Sequence, residues 1–173
     1  MVFILFSGIT SSFAVFFIDG QLNYSATGDF EAVSGGALGF GFDLTDNINF
    51  LLKAGMETNT ENKGDLDELK YELDRITGGI EFVPKIETLD QYRLYWRSSI
   101  NLGAAMFESE MPEVDDSDEG DMGFHVSFWT GMQFNFTQYI APFFDVGYHK
   151  TFFTMADSNL SISGWQLALG VRF

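Results

Sequence analysis

Apolar and polar residues alternate along most of this chain. In its last ten residues, GWQLALGVRF, the apolar positions are Trp165, Leu167, Leu169, Val171 and Phe173, and the residues between them are small or polar. Side chains of a β-strand point alternately to its two faces, so a period of two predicts a strand with one apolar face. The chain is therefore predicted to close with such a strand, which ends on an aromatic residue.

The same alternation predicts seven strands ahead of the closing one. Their apolar positions run from Phe16 to Tyr24, Leu38 to Leu44, Ile48 to Met56, Ile76 to Phe82, Leu94 to Met106, Phe124 to Phe134 and Phe144 to Tyr148. The run Thr45-Asp46-Asn47 predicts a tight turn between the second and third strands. Each strand is near the ~9–11 residues that a tilted membrane strand needs, which predicts one barrel.

The predicted connections differ in length at the two ends of the strands. Those near 45–47, 83–92 and 135–140 are short or moderate, whereas those near 25–34, 57–74, 107–122 and 153–161 are longer and more polar. Residues 65–74 are predicted to form a short surface helix within one of the long connections. Short turns at one rim and long loops at the other are typical of bacterial membrane barrels.

We therefore predict an all-β fold, an eight-stranded antiparallel up-and-down transmembrane β-barrel. No run of ~18 apolar residues follows the N-terminal segment, which excludes a membrane helix there. The mean hydropathy is only +0.03, as expected when every second side chain faces the interior of a barrel. A soluble, lipocalin-like ligand-binding barrel has the same strand count with its apolar face inside, and it is the alternative.

Two patterns favour the membrane barrel over the soluble one. Aromatic residues gather at the strand ends, as interface girdles do: Phe134, Tyr139 and Phe173 at one rim, and Tyr24, Tyr148 and Phe152 at the other. Charges of both signs share the polar face, namely Asp19, Lys53, Glu57, Arg75, Glu81, Arg97, Asp145 and Arg172. Paired in a narrow lumen, these charges would plug it, which disfavours a general porin and leaves a narrow channel as an alternative.

With the strands placed, the chain from about Phe16 to Phe173 resembles the small outer-membrane β-barrels of OmpA/OmpX type. The resemblance rests on this architecture and on the terminal GWQLALGVRF. It implies a protein of the outer membrane of a Gram-negative bacterium, surrounded by outer-membrane lipid, with both termini periplasmic. It also implies that the barrel-assembly machinery reads the closing strand, from Trp165 to Phe173, as an insertion signal.

Many functions share this architecture, so the resemblance implies a location more strongly than an activity. We expect a structural or surface-interaction role with the acidic loops outside the cell, and other envelope proteins as candidate partners. Residues 1–14, MVFILFSGITSSFA, are interpreted as a signal peptide whose start is truncated, since it lacks a basic n-region. A first strand is the alternative for that segment, and residues 15–173 are predicted to form a single barrel domain.

The formal net charge of −16 excludes nucleic acid as a partner, because phosphate binding needs a basic face. The connection after the fifth strand is the most acidic, and its candidate ligands for Ca²⁺ are Asp115, Asp116, Asp118 and Glu119. They open like an EF-hand loop, but Val126 stands where the bidentate Glu is required. A solvated acidic loop without a cofactor or metal is the favoured interpretation.

His125 and Ser127 have the most acid–base potential, and they share one face of the sixth strand. If the following turn centres near Thr137, His125 lies opposite His149. The same register would place Trp129 opposite Asp145.

A His-x-Ser pair on a late strand also resembles lipid A deacylases, barrels that use a Ser–His–acid triad. Here Phe128 replaces the Asn that follows the serine of that family, and no acid is placed convincingly beside His125 and Ser127. Interior packing is favoured for the pair, so no catalytic residue is predicted. A lipid A-modifying enzyme is the alternative.

Overall fold

The structure is a computed structural model that describes residues 16–27, 30–61, 69–86, 93–110, 121–137, 139–154 and 159–173. The signal peptide predicted over residues 1–14 lies outside them. The strands are β1 (Phe16–Thr27), β2 (Phe30–Thr45), β3 (Ile48–Glu61), β4 (Leu69–Phe82), β5 (Leu94–Glu110), β6 (Asp121–Phe134), β7 (Ala141–Thr154) and β8 (Asn159–Arg172). In the described ranges there is no helix long and apolar enough to cross a membrane.

The eight strands form a closed up-and-down barrel, which confirms the predicted fold class. Each strand pairs antiparallel with the next along the chain, and β8 pairs with β1. At the seam, the Phe173 amide donates to the Ile18 carbonyl at 2.9 Å, and the Ile18 amide donates to the Phe173 carbonyl at 3.0 Å. Closure leaves no strand edge unpaired, as a sheet in lipid requires.

The hydrogen-bond ladder shows how far the strands are staggered. Followed around the barrel from Asp19, it passes His125 and Thr151 and reaches Ile162 on β8. Asp19 itself pairs with Arg172, which lies ten residues further along β8. Because the strands tilt by this stagger, residues at one height along the barrel axis depart from the ladder toward the turn end by ten residues over the eight strands, about 1.25 residues per strand.

The barrel has two distinct ends. The turn end carries Phe16 and Phe173 and the connections 46–47, 83–93 and 135–140. The loop end carries the connections 28–29, 62–68, 111–120 and 155–158.

The strands reach further into the loop end than their alternation predicts. The β1–β2 connection is only residues 28–29, and the longest connection at the turn end, 83–93, exceeds all of those at the loop end. The longest connection at the loop end is 111–120, so connection length does not distinguish the two ends of the barrel as predicted. The helix predicted over residues 65–74 is wrong from Leu69 onward, because that segment is strand paired with both β3 and β5; residues 65–68 lie outside the described ranges. Ladder hydrogen bonds on both sides of Leu69–Asp74 outweigh its local helix propensity.

The apolar face of the sheet points outward and the polar face points into the lumen. Leu22, Leu38 and Leu169 are 73%, 69% and 63% exposed, whereas Asp19 and Gln166 are fully buried. This arrangement rules out the soluble, lipocalin-like alternative, whose apolar side chains would fill the interior. The predicted girdle residues at both rims are also exposed, namely Phe134, Tyr139, Phe173, Tyr24, Tyr148 and Phe152.

Candidate functional site

The lumen contains a buried ion-pair cluster toward the turn end, which we call the base cluster: Asp19, Glu81, Arg97, Asp145 and Arg172. Arg172 donates to Asp19 through Nε at 2.7 Å and through Nη2 at 2.8 Å. Its Nη2 also lies 2.7 Å from Glu81 Oε2. Arg97 Nη2 lies 2.7 Å from Glu81 Oε1, 3.4 Å from Asp19 Oδ2 and 3.6 Å from Asp145 Oδ2. Five strands are therefore tied together across the lumen.

Aromatic rings inside the lumen support the two guanidinium groups of the base cluster. The Arg97 Cζ lies 3.7 Å from the centroid of the Phe143 ring, and the Arg172 Cζ lies 3.8 Å from that of Phe17. A guanidinium over a ring face is held by a cation–π attraction. The rings lie flat against the wall because the neighbouring strand has glycine there.

Two glycines make room for these rings. A Cβ on Gly41 would lie 2.2 Å from the Phe17 ring, and a Cβ on Gly170 would lie 2.2 Å from the Phe143 ring. Each guanidinium therefore rests on an aromatic ring that itself rests on a bare backbone. A side chain at either glycine would push the ring, and with it the arginine, into the lumen.

A second cluster lies nearer the loop end and joins Glu57, Arg75 and Gln166. Arg75 Nη2 contacts Glu57 Oε1 in a short ion pair. Gln166 Nε2 donates to both Glu57 oxygens, at 2.8 Å and 3.0 Å. All three side chains are buried, so this cluster links β3, β4 and β8 across the lumen.

Lys53 is the one member of the predicted lumen charges that forms no ion pair within the described part of the chain. Its Nζ donates to Gln21 Oε1 at 3.1 Å and lies 5.9 Å from the Trp129 ring centroid. The eight predicted lumen residues are nevertheless all buried. With four acids and four bases among them, their formal charges cancel.

Above these charges, apolar side chains fill the lumen toward the loop end. Leu73, Ala105, Phe153 and Ile162 form a buried cluster, and Phe107 packs against it. The Phe107 and Phe153 ring centroids are 5.7 Å apart. The lumen therefore contains neutralised charges toward the turn end and apolar side chains toward the loop end.

His125 and Ser127 face the lumen and are buried, and each has a different hydrogen-bond partner. His125 Nδ1 lies 2.8 Å from Thr151 Oγ1, and Ser127 Oγ accepts a hydrogen bond from Trp129 Nε1 at 3.2 Å. No hydrogen bond joins His125 to Ser127 in the described structure. A hydrolase needs the base within hydrogen-bond reach of its nucleophile, and this arrangement does not provide it.

The predicted register around this pair is wrong by two residues. His125 pairs with Thr151, and His149 lies opposite Ser127. The observed pairs centre the turn one residue beyond Thr137. The Thr137 hydroxyl accepts hydrogen bonds from the amides of Tyr139 and Ile140 at 3.1 Å and 3.0 Å. A shift of two leaves every side chain on its predicted face.

The same shift applies further along the strand pair. Trp129 lies opposite Gly147 rather than Asp145. A Cβ on Gly147 would lie 2.5 Å from the Trp129 ring, so the indole lies against glycine as the lumen phenylalanines do. Asp145 instead lies opposite Gly131, on the strand beside Arg97.

A small polar cavity of about 30 Å³ remains in the middle of the lumen, lined in part by Lys53, Arg75, Asn101, His125 and Ser127. This is room for one or two water molecules. Within the described residues no group of three His, Cys, Asp or Glu side chains is placed to hold a metal ion. The candidate Ca²⁺ ligands Asp115, Asp116, Asp118 and Glu119 lie outside the described residues, so that hypothesis stays a prediction.

The residues of the predicted insertion signal lie on the outer face of β8. Trp165, Leu167, Leu169 and Phe173 are exposed there, and Val171 is half-buried. The Trp165 ring packs edge-on against Tyr148, with centroids 5.4 Å apart.

Two features of the lumen were not anticipated from the sequence. Gln166 was recognised only as a polar position, although it is fully buried and holds Glu57. The aromatic supports Phe17 and Phe143 sit at polar-face positions of their strands. A large aromatic residue at a lumen-facing position was the signal that could have identified them.

The sequence matches no protein-family model and no curated protein, but solved structures share its fold. Neisserial surface protein A gives a TM-score of 0.68 at 12% identity, over 93% of this chain and 98% of that one. Ail of Yersinia pestis, in complex with the heparin analogue sucrose octasulfate, gives 0.55 at 15% identity, over 92% and 97%. The outer membrane enzyme PagL gives 0.55 at 17% identity, over 88% and 97%.

The chain therefore has the fold of the small eight-stranded outer-membrane β-barrels. The resemblance inferred from its strand pattern and terminal residues is confirmed as a resemblance of fold. The matched proteins include an enzyme and surface proteins, so the shared fold does not assign a common activity.

Proposed function

We propose that this protein is an integral outer-membrane barrel with a closed lumen, which anchors acidic loops at the cell surface in a structural or surface-interaction role. The filled and neutral lumen carries this proposal. An eight-stranded barrel is just wide enough for its own side chains, and here buried ion pairs, hydrogen bonds and an apolar cluster occupy it. Such an interior supports the wall rather than a passage for solutes.

The distribution of charge supports a role at the loop end. Because the lumen charges cancel, the net charge of −16 lies elsewhere. The loop-end connections with their flanking strand residues hold 17 of the 25 acidic residues and three of the nine basic ones; they span 26–34, 58–74, 106–122 and 150–162. This end therefore carries a formal charge of −14.

A surface of this sign favours cationic partners, since complementary charge steers association. Ail, which shares the fold, is solved with a heparin analogue, and such polyanions would be repelled by the loop end of this chain. We propose basic segments of other envelope or surface proteins as partners.

The closed lumen gives a direct test in planar lipid bilayers. We expect the purified, refolded protein to insert without producing discrete current steps, because side chains block the lumen from the base cluster to Phe153 and Ile162. A general porin in the same bilayers provides the positive control. Heat-modifiable gel mobility of the recovered protein shows that it was folded. Reproducible single-channel steps from the folded protein would establish the narrow channel instead.

We also propose that both termini lie in the periplasm and the loop end faces outward. Treatment of intact cells with a Glu-specific protease should cut within connection 111–120, which contains Glu113 and Glu119. Trypsin should spare Lys85 and Arg93 at the turn end. The same digestion after permeabilising the outer membrane serves as the control. Tryptic cleavage at Lys85 or Arg93 in intact cells, with Glu113 and Glu119 protected, would reverse the orientation.

For assembly, we propose that the machinery that inserts outer-membrane barrels recognises the outer face of β8. Its apolar stripe from Trp165 to Phe173 is exposed along the seam with β1.

A hydrolase acting on lipid A is not proposed for His125 and Ser127. Both side chains point into the lumen, whereas the acyl chains of membrane lipid contact the outer wall. PagL is an enzyme with this fold, but the fold alone carries no active site to this chain.

A further inference from the structure

The outer wall of the barrel changes from apolar to polar near the loop end of β7 and β8. On the outer face of β8, Leu167 and Trp165 are exposed, and Ser163 and Ser161 follow them toward the loop end. Tyr148 of β7 lies directly opposite Trp165, and its ring is also exposed. Aromatic residues followed by polar ones mark the level at which a membrane-spanning wall leaves the hydrocarbon and meets the lipid headgroups.

A lysine lies just beyond this aromatic pair. Lys150 is on the outer face of β7, directly opposite Ser163 of β8, and its Nζ lies 4.9 Å from the centroid of the Phe152 ring. Among the side chains that the structure describes, it is the one cation on the outer wall, because the others lie in the lumen or in the turn-end connections.

Neither polar group at this position is occupied by the protein itself. Lys150 forms no ion pair with another described residue, and the Ser163 hydroxyl forms no hydrogen bond with one. The stem of a lysine can lie along an apolar wall while its ammonium group reaches the headgroups. The two side chains therefore offer a positive charge and several hydrogen-bond donors at the level of the headgroups.

The outer wall at β4 carries the opposite charge at the same level. The ladder leads from Lys150 to Val126, then to Leu102, and then to Gly78 on β4. Followed from β7 back to β4, residues at one height depart from this ladder toward the loop end by about four residues, which leads to Asp74. The Asp74 side chain is half-buried on the outer wall. An anionic headgroup is therefore attracted to β7 and repelled from β4.

We propose that the outer wall at Lys150 binds the phosphate of an anionic membrane lipid, with the Lys150 ammonium group and the Ser163 hydroxyl donating to the phosphate oxygens. The acyl chains of that lipid lie along Tyr148 and Trp165, toward the turn end. The inference rests on the proposed placement of the barrel in a membrane. It does not depend on the orientation of the barrel, because the site faces whichever leaflet surrounds the loop end.

A free phosphate ion is the competing occupant, since it carries the same oxygen atoms. Such an ion gains only the charge of Lys150 and the Ser163 donor. A lipid gains these interactions and also the contact of its chains with the exposed rings of Tyr148 and Trp165. The apolar and charged surfaces lie side by side, which favours the lipid over the ion.

The fluorescence of Trp165 tests the site, because a brominated acyl chain quenches a tryptophan that it contacts. Of the other two tryptophans, Trp129 is buried in the lumen and Trp96 is exposed, so the full chain carries Trp96→Phe. It is reconstituted in vesicles of phosphatidylglycerol and phosphatidylcholine in equal parts, with bromine on only one of the two lipids. The composition stays constant, so the difference in quenching reports the lipid beside Trp165. We expect about a fivefold preference for the anionic lipid.

Substitutions identify the group that causes this preference. Lys150→Gln should reduce it to about one, whereas Asp74→Asn, which removes a charge at the same level of the other wall, should leave it unchanged. Heat-modifiable mobility verifies that each variant is folded. Equal quenching by the two lipids, or a preference that survives Lys150→Gln, would overturn the site.

Two further outcomes separate this site from its alternatives. Inorganic phosphate, added at constant ionic strength, should leave the preference for the anionic lipid intact. Loss of the preference on that addition would overturn the lipid in favour of a free anion. Quenching of Trp165 by neither brominated lipid would overturn the placement of the barrel in the membrane, and with it this site.

Discussion

Replacing Arg97 by Met should destabilise the folded barrel by about 3–5 kcal/mol, the largest effect that we expect from a single substitution in the lumen. Arg97 contacts Glu81, Asp19 and Asp145 through Nη2. Its loss would leave these buried carboxylates with Arg172 as the remaining guanidinium of the base cluster. Methionine keeps most of the volume, so the effect reports charge rather than a cavity. Urea unfolding of the protein in detergent micelles, followed by heat-modifiable gel mobility, measures the change.

A double-mutant cycle separates the ion pair from general damage. Adding Glu81→Met to Arg97→Met removes the carboxylate at 2.7 Å together with its partner. The double variant should recover a large part of the lost stability, since replacing both members of a buried pair by apolar groups is often close to neutral. If the stability lost in the double variant equals the sum of the losses in the Arg97→Met and Glu81→Met single variants, Arg97 and Glu81 are not coupled.

Leu169→Arg should lower the folding free energy in lipid vesicles by about 2–4 kcal/mol, as expected for a charge at the middle of the membrane. Leu169 is 63% exposed on the outer face of β8. It lies midway between Trp165 and Phe173, the aromatic residues near the two rims of that strand. Equilibrium refolding into vesicles at low protein density, across a urea series, measures the cost.

Ser161 provides the matched control for that experiment. It is exposed on the same strand and the same face, but lies at the loop end. Ser161→Arg should therefore cost only about 0–1 kcal/mol. Equal costs at Leu169 and Ser161 would contradict a membrane boundary between them.

The sequence predicted the strand pattern well because alternation is a local property. Each residue of a strand has its face fixed by parity, so His125, Trp129 and Asp145 were all placed on the correct face. A register error of two residues between β6 and β7 did not change this. Local propensity was a poorer guide at Leu69–Asp74, where pairing with β3 and β5 replaced the predicted helix.

The contacts inside the lumen could not be predicted in the same way. Alternation identified Arg97 and Glu81 as lumen residues, but which carboxylate meets which guanidinium depends on the stagger of all the strands together. The rings beneath the arginines depend further on glycines of neighbouring strands, such as Gly170 beneath Phe143. These pairings join residues far apart in the chain, and no local pattern encodes them.

By itself the sequence determined the strands, the two faces of each and the neutral set of lumen charges, because a period of two fixes side-chain direction locally. Only the tertiary structure decided that the polar face is the inner one, since both faces of an isolated strand are equivalent until the sheet closes. It also decided that Gln166 holds Glu57 and that His125 stands apart from Ser127. Closure with a stagger of ten residues sets those distances, and stagger is a property of the whole barrel.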